Sequence, residues 1–233
     1  MTAHLGRKAV AELVGTAFLL MAVVGSGIMA TRLSDDVGLQ LLENSIATGA
    51  ALIALIIALQ PVSAAFNPVV TLVERVLGLI GNRDALVLIA AQMVGGATGV
   101  VLANLMFELP AVSVSTTERG GAGQWLAEVV ATVGLVLIIF GSVRGDRSRT
   151  VAFAVGGYIA AAYWFTSSTS FANPAVTVAR MLSDTFAGIA PGSVAMFIAM
   201  QLLGGVVAVA LVRTLYPARQ RALVAPAGDD AVA

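Results

Sequence analysis

Cysteine is absent from the 233-residue chain, and its one histidine, His4, stands near the N-terminus. Disulfides, thiolate metal sites and cysteine nucleophiles are thereby excluded. A metal site built on imidazole lacks its ligands, and no metal or other cofactor is expected. Charge is scarce as well. Only 11% of residues are charged, against about 25% in an ordinary soluble domain. Net charge is zero, which argues against a nucleic-acid partner. No histidine or lysine stands where it could activate a hydroxyl, so no nucleophile–base pair is at hand and an enzyme is not expected.

What fills the chain instead is apolar. Hydrophobic residues make up 58% and mean hydropathy is +0.94, the composition of a polytopic membrane protein. A spanning helix needs about 20 mostly apolar residues. Six segments qualify: 8–29, 42–61, 84–106, 124–143, 149–167 and 192–216. Arg7 and Lys8 ahead of the first give it the look of a leader peptide. Glu12 inside the block, and a counterpart later in the chain, argue against that.

Between the second and third spans stands "AFNPVVTLVERVL", and between the fifth and sixth "SFANPAVTVARML". Each predicts a helix of about ten to twelve residues, roughly half of a ~30 Å hydrocarbon core at 1.5 Å per residue. Other stretches repeat in the same order. "AELVGTAFLL" is echoed by "AEVVATVGLVL", and "QMVGGATGVV" by "QLLGGVVAVA". The chain therefore reads as one duplicated unit of three spans and a half-helix, repeat one over 8–106 and repeat two over 124–217. An odd number of spans per unit gives the copies opposite orientations, an inverted repeat. A single membrane domain is expected over 8–217, with a short N-terminus at 1–7 and a disordered tail at 218–233.

Lys and Arg positions set the orientation. With the N-terminus inside, ten fall on the cytoplasmic side, and only Arg32, Arg119 and Arg180 lie outside. This positive-inside bias predicts that both termini are cytoplasmic, in the inner membrane of a cell.

The Asn-Pro pairs carry the chemistry. Asn is a preferred N-cap, because its side-chain oxygen accepts from the first turn's unpaired N–H groups. Proline at the next position loses no bond there. Asn67-Pro68-Val69 and Asn173-Pro174-Ala175 therefore start helices deep in the bilayer. A bare helix end survives there only against protein or a water-filled cavity. Two such ends in an inverted repeat meet near the midplane. With both asparagine oxygens engaged, the amide N–H groups remain to donate to a passing solute, while the helix dipoles repel cations.

These residues resemble the aquaporin, or major intrinsic protein, family, over essentially residues 5–217. The likeness rests on "NPVVT", "NPAVT", the "AExxGT" opening at Ala11–Thr16, its echo at Ala127-Glu128, and six spans in two halves. It implies an all-α membrane fold of six spans and two half-helices, a homotetramer with one pore per protomer, and passive flow of water or small neutral solutes. Glu12 and Glu128, carboxylates inside spans, take from it a structural role: holding the non-helical lead-ins to the half-helices. A proton-coupled transporter would titrate them instead. Gly95 and Gly99, echoed by Gly204 and Ala208, read as a close helix crossing. The "TSSTS" stretch at 166–170 reads as hydrogen-bonding groups at a pore mouth.

Two positions depart from the family. Val69 stands where alanine is usual and adds two methyl groups where the half-helices abut. Val176 stands where most members have a filter arginine. Arg180, a helical turn further on, is not read as its substitute. Offsets from the motif asparagines put the rest of the filter at Ala47 (or Thr48), Ala161 and Ser170. All are small and uncharged, which predicts a wide filter, apolar on the Val176 side. The expected cargo is small uncharged solutes: glycerol-like polyols, metalloid hydroxides such as arsenous acid, and some water. A mainly water-conducting pore is the alternative.

Overall fold

The computed structural model describes residues 3–217; the expected tail at 218–233 lies outside the described residues. Among these, the chain is all helical. Helices α1 (Ala3–Leu33), α2 (Val37–Leu59), α4 (Asn82–Met106), α5 (Ala122–Arg144) and α8 (Pro191–Leu215) are long and apolar enough to cross a bilayer. The remaining expected span is α6 (Val151–Phe165), of 15 residues, about 22 Å long and short of a hydrocarbon core. A 3₁₀ turn at Ser148–Thr150 leads directly into it. Its far end stops where the Thr166 hydroxyl donates to the Ala162 carbonyl at 2.6 Å. Bonding of that kind competes with continuation of the helix.

Both Asn-Pro segments form the short helices that capping chemistry predicts. Helix α3 runs Pro68–Val76, and α7 runs Pro174–Ala179 before a 3₁₀ turn, Arg180–Leu182. The nine and six residues observed fall below the ten to twelve expected.

Packing follows the duplication. Helix α1 lies against α2 and α4, α5 lies against α6 and α8, and α2 crosses α6 between the halves. Small residues make the crossings close, as they do where apolar surroundings supply no hydrophobic drive. A Cβ on Gly95 or Gly99 would collide with the α1 backbone at Leu13 and Ala17. On the other side, Gly204 packs on Thr132 and Val129, and Gly49 and Gly156 sit backbone to backbone where α2 meets α6. The half-helices are held in the middle, each against both α4 and α8.

The segment joining the halves is also docked. Ser113 and Ser115 donate their backbone N–H groups to the Leu182 and Met181 carbonyls at 3.0 and 2.9 Å, and Ala190 donates to Thr117 at 2.7 Å. This strap covers the end of the molecule beyond α7.

Candidate functional site

Each half-helix begins with its asparagine as N-cap. The Asn67 side-chain oxygen accepts from Val69 N–H at 2.9 Å. That of Asn173 accepts from Ala175 and Val176 at 2.9 and 3.3 Å. Neither amide nitrogen is left wholly free, although the sequence suggests that both should be. Asn67 Nδ2 donates to the Ala172 carbonyl at 2.7 Å, and Asn173 Nδ2 donates to the Phe66 carbonyl at 2.8 Å. Each cap is thereby tied to the lead-in of the other, which fixes the two helix starts face to face. One N–H per amide remains for a solute.

The lead-ins cannot be ordinary helix or strand. Phe66 and Ala172, the residues just ahead of the two asparagines, have φ of 49° and 47°. Non-glycine residues hold such left-handed conformations only where the surroundings over-determine them. Here the two buried carboxylates do so. Glu12 accepts from Ala65 N–H at 2.8 Å, Phe66 N–H at 2.6 Å and the Ser63 hydroxyl at 2.5 Å. Glu128 accepts from Phe171 and Ala172 N–H, both at 2.9 Å.

A glutamine completes each set. Gln92 Nε2 bridges Glu12 and Thr71, and Gln201 Nε2 bridges Glu128 and Thr177. The same five-part arrangement thus recurs in both halves. A carboxylate is the right group for it, because it accepts several bonds and donates none. Neither glutamate lines the cavity described next.

That cavity, of about 310 Å³, runs through the centre. Lys8, Gln60 and Glu74 line one end, Asn67 and Asn173 the middle, and Thr48, Tyr163, Ser170, Val176 and Arg180 the other. Its walls are helical stripes four residues apart: Thr48, Leu52 and Ile56 on α2, and Val151, Val155, Ile159 and Tyr163 on α6. Pro68, Val69, Pro174 and Ala175 are buried behind it and do not reach it. Val69 is accommodated by α8, where its Cγ1 would stand 2.8 Å from a Cβ on Gly205. The extra methyl groups therefore press on a glycine of a long helix, and not on the opposing half-helix.

The positions expected for the filter fall unevenly around the cavity. Ser170 and Val176 line the cavity, and of the two alternatives Ala47 and Thr48 it is Thr48 that does. Ala161 does not: it lies on the exposed outer face of α6, and Tyr163 faces the cavity. Two residues along a helix turn the side chain by about 200°, so a small miscount through the lead-in selects the opposite face. Tyr163 and Thr48 face each other, hydroxyl to hydroxyl, at 3.2 Å. This end of the cavity is therefore not built from small residues alone. The stripe Val151, Val155, Ile159, Tyr163 was readable in the sequence as a four-residue spacing, whereas a count from the asparagine passed over it. Glu74, Lys8 and Gln60 at the opposite end gave no comparable signal, being polar residues near the ends of apolar blocks.

Three comparisons bear on this arrangement. The family model described as "Major intrinsic protein" matches residues 1–150 and 145–230. Aquaglyceroporin AqpS of Rhizobium meliloti (strain 1021) is 50% identical over 217 residues, covering 92% of this chain and 93% of that protein. Among solved structures, the aquaglyceroporin from Plasmodium falciparum superposes with a TM-score of 0.70 at 17% identity, over 91% of this chain and 95% of that one. The last is a likeness of fold.

Proposed function

Since the chain belongs to the major intrinsic protein family, we propose that it is a passive membrane channel whose permeants are small uncharged solutes: glycerol-like polyols, neutral metalloid hydroxides such as arsenous acid, and water. One observation carries this reading. Two Asn-capped helix starts, tied to each other's lead-ins, meet at the middle of a continuous cavity with otherwise largely apolar walls. A solute passing there exchanges hydration for the remaining amide N–H groups, while the dipole ends of α3 and α7 disfavour cations. The half-identical relative that bears the name aquaglyceroporin supports the polyol assignment.

On this reading Thr48, Tyr163, Ser170 and Val176 form the selective constriction. Thr48, Tyr163 and Ser170 supply hydroxyls and Val176 an apolar side, a lining suited to a solute with hydroxyls on one face and carbon on the other. Glu12 and Glu128 act as structural acceptors. Their carboxylate oxygens are occupied by lead-in donors and both lie off the cavity, so proton coupling through them has no path. The protein works as a homotetramer in the inner membrane with both termini cytoplasmic, in keeping with the bias of Lys and Arg between the two sides and with the apolar residues on its outward helix faces, such as Phe18, Leu86 and Val206. Light scattering from proteoliposomes challenged with water, glycerol and arsenous acid tests the reading. All three should equilibrate faster than in protein-free vesicles.

A further inference from the structure

Arg180 is 3% exposed, yet it lines the cavity beside Ser170 and Val176. Its guanidinium lies over the Phe171 ring, 3.5 Å from the centroid, and its Nε donates to the Ala187 carbonyl. Neither terminal amino group has a protein partner among the described residues, and no carboxylate pairs with the charge. A buried cation held in this way is costly unless something else satisfies its donors. A second cation, Arg119, stands 5.1 Å from the same ring. It is held off the cavity by bonds from its Nε to Gly188 and its Nη2 to Phe186. The Ser170 hydroxyl, buried at the same end of the cavity, is likewise unpartnered.

Unsatisfied donors on one cavity wall mark a place where the permeant supplies the acceptors. We propose that Arg180 and Ser170 together form the oxygen-binding subsite of the constriction, and that Arg180 is the residue that excludes cations there. This rests on the channel reading above. The guanidinium reaches the lumen from one helical turn beyond Val176: the Arg180 N–H keeps the regular helical bond to the Val176 carbonyl, so the two side chains share a face of α7 and lean toward its N-terminus. The Phe171 ring and the Ala187 carbonyl then fix it in place. The solute class that fits is neutral and rich in oxygen acceptors. Arg119 is a positioning residue, restricting Phe171 from the strap.

Two substitutions separate charge from shape. Arg180→Gln keeps an N–H for Ala187 but removes the charge; Arg180→Lys keeps the charge and loses the planar stack. In proteoliposomes under a pH gradient, the glutamine variant should raise proton flux tenfold or more, with the lysine variant within about twofold of native. Ser170→Ala, a small change in a site that needs no repacking, should lower the glycerol-to-water permeability ratio severalfold. The proposal is overturned if Gln and Lys variants have equal proton flux, or if folded Ser170→Ala keeps the native ratio. Native protein that passes neither glycerol nor water would instead overturn the channel reading itself.

Discussion

Glu12 shows most directly how one side chain sustains the site. It is fully buried, and it accepts from two backbone N–H groups, a serine and a glutamine. Replacing it by glutamine turns one accepting oxygen into a donor facing donors. At least one buried N–H then loses its partner, at about 1–3 kcal/mol. Glu12→Gln should lower the thermal midpoint of the solubilised protein; an unchanged midpoint would show that the lead-in holds its shape without the carboxylate. Val176→Arg tests a different residue. It would put a second guanidinium four positions from Arg180 on the same helical face, where like charges repel. Glycerol permeability should fall well below that of water. If the folded mutant keeps the native ratio, Val176 does not lie at the narrow point.

At the scale of elements, the long helices and both half-helix starts were legible because their causes are local. Apolar length sets a span, and an Asn-Pro pair sets a helix start wherever it falls. The cavity lining was not legible in the same way. Which face of α6 meets the lumen depends on the conformation of the lead-in at 166–172, where Thr169, Ser170 and Ala172 all have positive φ. No offset from Asn173 anticipates that geometry, so Ala161 was expected where Tyr163 stands. Arg180 was passed over because it lies a full turn beyond Val176. Its backbone keeps the regular helical bond to the Val176 carbonyl, and its long side chain, on the same face, reaches back to the cavity. Packing between elements makes its own prediction at Gly205, whose missing Cβ leaves room for Val69. Gly205→Ala should overpack this contact by about 1–3 kcal/mol. Adding Val69→Ala should recover most of the loss, measured as the thermal midpoint of single and double mutants. Additive effects would mean that the two residues do not share the space.

Taken whole, the molecule builds one conduit from two copies of a unit that could not build it alone. Each half supplies a capped helix start, a carboxylate for its own lead-in and a carbonyl for the other half's asparagine. The result is a fixed constellation, with no carboxylate among the described residues beside the two asparagines in the cavity to take up and release a proton. Transport should therefore follow the solute gradient alone. The most direct measurement is glycerol flux into proteoliposomes over a series of concentrations, with and without an imposed pH gradient. The account predicts flux proportional to the glycerol gradient through the millimolar range and indifferent to pH difference. Flux that saturates there and is driven by the proton gradient would contradict it.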